Sequence, residues 1–224
     1  MGIVAHEAIA RVFPPGIPKT GSQAAETAAP IIDEIIKDRA PQLFRSRNAA
    51  KLGELKSLIG RAINLYGEFL AANSLVIEAA EFEVKKSDKT IAGVHLVGTL
   101  DHILRDKHQK TFIVDHKSGL SKYKERDLID GNSLQLALYS HLLNHGTEPI
   151  LAYHMITDNK VLVLNSQLDR AVRVNGPEAR EILKGVEEEL TVQKNKLETG
   201  NLTAQGLAAD SENRRFQPPC SFCD

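Results

Sequence analysis

The chain has 224 residues, of which 28 are lysine or arginine and 29 are aspartate or glutamate, so its formal net charge is −1. Hydrophobic residues make up 42% and charged residues 25%, values that exclude a chain that is disordered throughout or collagen-like. The near-zero charge argues against a protein that holds nucleic acid by bulk electrostatic attraction alone. No apolar run reaches the roughly 18 residues of a membrane span, and the N-terminus does not resemble a signal peptide, so a cytoplasmic protein without membrane contact is expected.

Hydrophobic periodicity predicts helices and strands in a mixed order. The predicted helices cover residues 1–13, 48–73, 131–144 and 178–198, and the segment 17–41 is predicted as loops around a short helix. The predicted strands cover 75–85, 91–104 and 111–115 as an antiparallel meander, followed by 150–157 and 161–165. We expect an α/β fold with a central mixed β-sheet flanked by helices in one domain spanning 1–224, of which 199–224 form a polar C-terminal tail.

Two acidic residues close apolar strand segments. Asp101 ends the run Val97-Gly98-Thr99-Leu100-Asp101, and Asp115 is followed two residues later by Lys117. Since residues i and i+2 share one face of a strand, Asp115 and Lys117 are expected on one face, and an antiparallel neighbour brings Asp101 close to them. Two carboxylates can bind a hard divalent cation, the carbonyl of His116 can add an oxygen, and the lysine can orient water for phosphodiester hydrolysis. An isolated Asp-x-Lys is, however, more often a pair of ordinary strand-end residues.

The neighbouring motifs make the pattern specific. Gly98-x-x-Asp101 precedes Asp115-x-Lys117, and Gln135-x-x-x-Tyr139 follows on the next predicted helix. In this order the motifs resemble those of the RecB-like branch of the PD-(D/E)XK nuclease superfamily. Gly2-Ile3-Val4-Ala5-His6 is similar to the leading Gly-x-x-x-His motif of that family. The resemblance covers residues 2–139 and implies a restriction-endonuclease-like core.

The resemblance also implies roles for single residues. The implied catalytic residues are Asp101, Asp115 and Lys117, and the implied ligands of Mg²⁺ or Mn²⁺ are His6, Asp101, Asp115 and the backbone carbonyl of His116. Gln135 and Tyr139 would contact the substrate strand. Lys122 and Lys124 lie in a basic run that could hold backbone phosphates, although a solvated loop explains them equally well. Glu81 is a candidate auxiliary acid, with exposed strand-face charge as the favoured alternative.

The two cysteines, Cys220 and Cys223, lie near the C-terminus. One subgroup of the family, which includes AddB-type helicase-nucleases, carries an iron–sulfur cluster with one cysteine before the histidine motif and three near the C-terminus. A tetrahedral iron or zinc site needs four ligands, so this chain alone is expected to hold no cluster. We interpret it as a domain excised from a larger protein that carries the other cysteines. His141 and His145 could complete a zinc site with them, but ordinary helix positions are favoured.

The predicted function is therefore that of a Mg²⁺- or Mn²⁺-dependent deoxyribonuclease. By resemblance it would be an exonuclease acting on exposed or unwound DNA ends in recombination or break repair. The sequence contains no Gly-x-x-x-x-Gly-Lys-[Ser/Thr] phosphate loop, so a helicase or ATPase motor is expected on another domain or subunit. Two alternatives stay open: a non-catalytic DNA-binding or scaffold module with a nuclease fold, and a phosphohydrolase of small molecules.

Overall fold

The computed structural model describes residues 2–85, 89–143 and 147–200. Within these ranges the helices are α1 (Gly2–Val12), α2 (Gly21–Arg39), α3 (Ala49–Ala72), α4 (Ser121–Ile129), α5 (Leu134–Leu143) and α6 (Ala179–Glu198). The strands are β1 (Val76–Val84), β2 (Thr90–Ile91), β3 (Val94–His95), β4 (Gly98–Arg105), β5 (Thr111–Lys117), β6 (Ile150–Met155), β7 (Lys160–Leu164) and β8 (Val172–Val174). Two short 3₁₀ turns, Pro41–Phe44 and Ser46–Asn48, join α2 to α3.

Six of the strands form one mixed sheet in the order β1-β4-β5-β6-β7-β8. The pairs β1–β4, β4–β5 and β6–β7 are antiparallel, whereas β5–β6 and β7–β8 are parallel. The crossover from β5 to β6 contains α4 and α5, as a parallel connection requires. The predicted α/β fold with a central mixed sheet flanked by helices is thus confirmed, and so is the antiparallel order of the three strands that carry the acidic motifs.

Each face of the sheet is covered by a separate apolar layer. On one face α1, α2 and α3 pack against the sheet through side chains such as Ile9, Ile36 and Phe69. On the other face α4, α5 and α6 pack through side chains such as Leu128 and Leu136. Because successive residues of a strand point to opposite faces, neighbouring residues of β4 and β5 enter different layers.

The prediction of loops around a short helix for residues 17–41 is wrong, because α2 is a helix of 19 residues. Thr20 and Gln23 form a capping box at its N-terminus, which satisfies backbone donors of the first turn. Pro30 interrupts the backbone hydrogen bonds from within the helix, but it lies on the exposed side, where water can hydrate the carbonyl that loses its donor. The helix was not predicted because the proline and threonine residues of this segment are typical of loops.

The predicted strand 91–104 is divided in the structure. Its first part belongs to a separate hairpin of β2 and β3, and β4 begins only at Gly98. Ala92 and Gly93 form the two-residue turn of this hairpin, with φ values of 49° and 78°. Two successive left-handed residues are typical of a tight hairpin turn, so the strand cannot continue through them.

Three further elements differ from the sequence prediction. Helix α4 was not predicted and contains Lys122 and Lys124, for which a solvated loop was one of two open alternatives, and the helix predicted from residue 131 begins at Leu134. Strand β8 was missed because three residues are too few to show a period of two. His145, Cys220, Cys223 and most of the predicted tail, residues 201–224, lie outside the described residues. Among the helices of the described residues, none combines the length and the hydropathy that a membrane span requires.

Candidate active site

Strands β4 and β5 bring Asp101 and Asp115 together. In the antiparallel ladder His102 pairs with Val114, so Asp101 lies opposite Asp115 one position further along. Beyond this pair a side chain links the two strands: the backbone N–H of His116 donates to Oδ2 of Asp101 at 2.6 Å. Asp115 is only 1% exposed, and it faces the layer formed by α4, α5 and α6.

A histidine and a second acid complete the group around Asp101. Nδ1 of His6, on α1, lies 3.5 Å from Oδ2 of Asp101. Potential ligand atoms of His6, Glu81 and Asp101 all lie within 4.8 Å of one another. The structure therefore brings Glu81, the candidate auxiliary acid, next to the two motif residues.

The backbone of Glu81 has an unusual conformation. Its φ is 48°, a left-handed value for a non-glycine residue within β1. Its neighbours Ala80 and Phe82 pair with His102 and Leu100, so Glu81 lies opposite Asp101. A left-handed conformation costs such a residue about 1 kcal/mol or more, and strain of this kind concentrates at functional sites. The rest of the fold must compensate for this cost.

A chain of polar contacts links Asp115 to α5. Nζ of Lys117 lies 2.7 Å from Oδ2 of Asp115 and donates to Oε1 of Gln135 at 2.8 Å. Nε2 of Gln135 in turn donates to Oη of Tyr139, one helical turn away, at 2.7 Å. All four side chains thus form one continuous group that includes both residues of the Gln-x-x-x-Tyr motif.

The presence of glycine at position 98 is explained by its closeness to Tyr139. A Cβ atom at residue 98 would lie 3.3 Å from Cε1 of Tyr139, so the tyrosine ring would have to give way to any larger residue. The glycine of the Gly-x-x-Asp motif therefore leaves space for Tyr139 beside Asp101.

Burial makes negative charge unfavourable at both aspartates. Burial, together with the nearby charge of Asp115, raises the pKa of Asp101 to about 6, although the His116 N–H and His6 act in the opposite direction. Burial also raises the pKa of Asp115, against the opposing effect of Lys117. Two neighbouring carboxylates with raised pKa values are stabilised in their charged form by a cation.

The residues present fit a divalent metal ion. Oδ1 of Asp115 is buried and has no hydrogen-bond partner among the described residues, although a buried carboxylate oxygen normally has one. A bound cation would provide that partner. Carboxylate oxygens with an imidazole nitrogen suit Mg²⁺ or Mn²⁺ better than a soft metal.

The two lysines proposed as phosphate contacts differ in their surroundings. Lys122 is exposed, and its Nζ lies 5.0 Å from the ring centroid of Tyr123. Lys124 is half-buried and paired with Asp127 at 2.6 Å, yet its charge still lowers the pKa of Asp115. Of these two lysines, Lys124 is the one with a stated electrostatic effect on Asp115.

His141 contributes to none of the groups of three potential metal ligands found in the described residues. The disfavoured alternative, a zinc site with the cysteines, stays untested, because its other members lie outside those residues.

Sequence reasoning missed one conspicuous feature near the site. The ring of His116 points away from Asp115 and joins Tyr66, His102 and His154 in a buried group on the opposite face. The available signal was that a histidine directly follows each of the two aspartates.

A family model described as the PD-(D/E)XK nuclease superfamily matches the chain over residues 1–224. The search of curated proteins found no match to the chain.

Proposed function

Because the chain belongs to the PD-(D/E)XK nuclease superfamily, we propose that its candidate active site hydrolyses DNA phosphodiester bonds with Mg²⁺ or Mn²⁺. The observation that carries this proposal is the buried carboxylate of Asp115 between Asp101 and Lys117, whose Oδ1 has no hydrogen-bond partner in the described part of the chain. His6, Asp101, Asp115 and the His116 carbonyl are the proposed ligands, and the position of Glu81 supports adding it to them. A metal ion in this site would polarise the phosphate and lower the pKa of bound water.

The protein side chains have separate proposed roles in orienting water and in binding the DNA strand. Lys117 contacts both Asp115 and Gln135, and its ammonium group can hold a water molecule in line with the phosphorus atom. Gln135 and Tyr139 face the same space from α5 and can contact the strand that carries the scissile phosphate. Lys122 and Lys124 are proposed to bind neighbouring phosphates.

We place the protein, as part of the same proposal, in the RecB-like branch and assign it exonuclease action at DNA ends during recombination or break repair. The four motifs that carry this resemblance contribute to one site. A net charge of −1 provides little general attraction for DNA, so a helicase or ATPase partner would supply affinity by tethering. An iron–sulfur cluster that includes Cys220 and Cys223 would need cysteines from a longer protein.

End dependence tests the exonuclease assignment. Purified protein with Mn²⁺ is incubated with two labelled single-stranded DNAs of equal sequence, one linear and one covalently closed into a circle. We expect the linear DNA to be degraded and the circle to stay intact. Cleavage of the circle at the same rate would contradict exonuclease action but leave the nuclease assignment in place.

Paired lysine variants test the site itself. Lys117→Ala should lower the rate on linear DNA by about 10²- to 10³-fold, as expected when a charged group that stabilises the transition state is lost. Lys107→Ala removes an exposed lysine in the turn between β4 and β5 and should leave the rate unchanged. Equal rates for the two variants, or DNA binding without any hydrolysis by the wild type, would favour the scaffold alternative.

A further inference from the structure

Four polar aromatic side chains are buried directly behind the candidate active site. Tyr66 of α3 and three histidines, His102 of β4, His116 of β5 and His154 of β6, are each no more than 2% exposed. We call them the histidine–tyrosine cluster. The surrounding layer between α1, α2, α3 and the sheet is otherwise apolar, so the cluster is an exception within it.

The cluster is connected by hydrogen bonds. Oη of Tyr66 and Nε2 of His116 lie 2.9 and 3.2 Å from Nδ1 of His102. Nδ1 of His116 shares a hydrogen bond of 2.9 Å with Nδ1 of His154, its partner in the parallel ladder. Both ring nitrogens of His116 are therefore engaged, which fixes the orientation of this ring.

His116 connects the cluster to the candidate metal ligands. Its backbone N–H donates to Asp101, and its neighbours along the chain are Asp115 and Lys117. Its ring also meets the ring of His6 edge to face, with centroids 5.9 Å apart at an angle of 89°. The cluster thus lies against two of the proposed ligands, one through the His116 peptide and one through a ring contact.

Stability alone does not explain these histidines. His102 and His154 are no more than 1% exposed, so their ring nitrogens are removed from water at a cost that an apolar residue would avoid. Nε2 of His102 has no hydrogen-bond partner among the described residues, which adds to that cost. Both ring nitrogens of His116 are already hydrogen-bonded to other rings of the cluster, and no group of three potential ligands in the described part of the chain includes its histidines.

We propose that the histidine–tyrosine cluster positions the candidate metal centre by holding the His116 peptide and the His6 ring at fixed distances from Asp101. This inference rests on the proposed function. Tyr66, His102 and His154 are positioning residues, since they act through His116 and do not reach the substrate. Partners of this kind behind a metal site typically change metal affinity by about 10- to 100-fold when they are mutated.

Mn²⁺ affinity, measured by isothermal titration calorimetry on the full chain, provides a test that does not depend on activity. His154→Leu removes the hydrogen bond to His116 and should weaken Mn²⁺ binding by about tenfold or more. His154→Asn retains an amide near the former Nδ1 and should recover most of the affinity. Rescue by the polar variant is not expected of a residue that only fills the core.

Val163→Ala is the matched control. Val163 is fully buried in the same apolar layer, on β7, opposite Ala152. Its truncation should lower the unfolding midpoint and leave the Mn²⁺ dissociation constant within about twofold of the wild-type value. This comparison separates general destabilisation from loss of positioning.

An unchanged Mn²⁺ dissociation constant in folded His154→Leu would overturn the inference. If that variant does not fold, Tyr66→Phe decides, because it removes only the hydroxyl group that contacts His102. We expect it to weaken Mn²⁺ binding severalfold, and an unchanged value would overturn the inference. Asp115→Asn separates the two proposals: if wild type and Asp115→Asn bind Mn²⁺ equally, the proposed function itself fails.

Discussion

Alternate residues of β5 lie in opposite environments. Asp115 and Lys117 face charged and polar partners at the candidate active site, whereas His116, between them, lies in a sealed cluster of neutral rings. Burial raises the pKa of Asp115 and lowers that of His116, so it disfavours charge on both sides of the strand. A bound cation can relieve the cost on the acidic side only. One strand thus carries both the candidate active-site groups and a residue of the cluster that is proposed to hold them in place.

The largest expected effect is on acid stability. His154 has a pKa of about 3 in the folded protein, mainly because it is buried, with His6 acting in the same direction and the Ala62 backbone opposing. Between pH 6.5 and 3 the unfolded chain therefore binds a proton that the folded protein does not, and the free energy of unfolding falls as the pH falls. His154→Leu should remove this dependence.

Urea unfolding at pH 7 and pH 4 measures the effect. The loss of stability on acidification should be about 3 kcal/mol smaller in His154→Leu than in the wild type. His108→Leu, which changes an exposed histidine in the turn after β4, is the control and should lose as much as the wild type. Parallel behaviour of His154→Leu and wild type would show that the cluster does not resist protonation.

Asp101 should give the free energy of unfolding the opposite dependence on pH. Because the pKa of Asp101 is raised to about 6, the folded protein holds a proton that the unfolded chain releases between pH 3.8 and 6, so this residue lowers stability as the pH rises. Asp101→Asn removes the charge and keeps an acceptor for the His116 N–H. We expect the metal-free variant to be about 3 kcal/mol more stable than wild type at pH 7.

Unfolding in the presence of Mn²⁺ provides a second test of this prediction, since a ligand stabilises only a folded state that binds it. Saturating Mn²⁺ should raise the unfolding midpoint of the wild type and of Asp169→Asn, an exposed control. It should have little effect on Asp101→Asn. A metal-free Asp101→Asn protein that is less stable than wild type would contradict the account of the acidic side.

The smallest expected effect concerns the strained backbone of Glu81. Glu81→Gly relieves a left-handed φ of 48° and should change the free energy of unfolding by only a few tenths of a kcal/mol, because glycine also costs entropy in a strand. Glu83→Gly, two residues along the same strand without such a φ, should destabilise by about 1 kcal/mol.

Only Glu81→Gly should weaken Mn²⁺ binding, as measured by calorimetry on both variants. Equal affinities would remove Glu81 from the proposed ligands. Equal destabilisation of the two variants would show that the backbone of Glu81 is not strained.

The sequence predicts those parts of the site that depend on strand alternation. Asp115 and Lys117 had to share a face, and the antiparallel neighbour had to bring Asp101 close. The position of Glu81 depends instead on the register of β1 and on one left-handed residue, neither of which has a sequence signal. His154 reaches His116 only through a parallel pairing after a long crossover, so its role could not be inferred from spacing.

For the fold, too, elements with a local sequence pattern were predicted and an element stabilised by tertiary packing was missed. Helix α3 has a regular apolar stripe, and its observed bounds, Ala49–Ala72, lie within one residue of the predicted ones at each end. Helix α2 was missed because its proline and small residues resemble a loop, whereas its stability comes from packing Ile32, Ile35 and Ile36 into the core. Tertiary packing of this kind overrides local composition.

The most direct test of the central claim is the Mn²⁺ dependence of hydrolysis of end-labelled linear DNA by the wild type and Asp115→Ala, measured side by side. We predict that the wild-type rate rises to saturation with Mn²⁺, that a chelator abolishes it, and that Asp115→Ala lowers it by about 10²-fold or more at every Mn²⁺ concentration. Hydrolysis that persists without metal, or that Asp115→Ala retains in full, would contradict the assignment of this site as a metal-dependent nuclease centre.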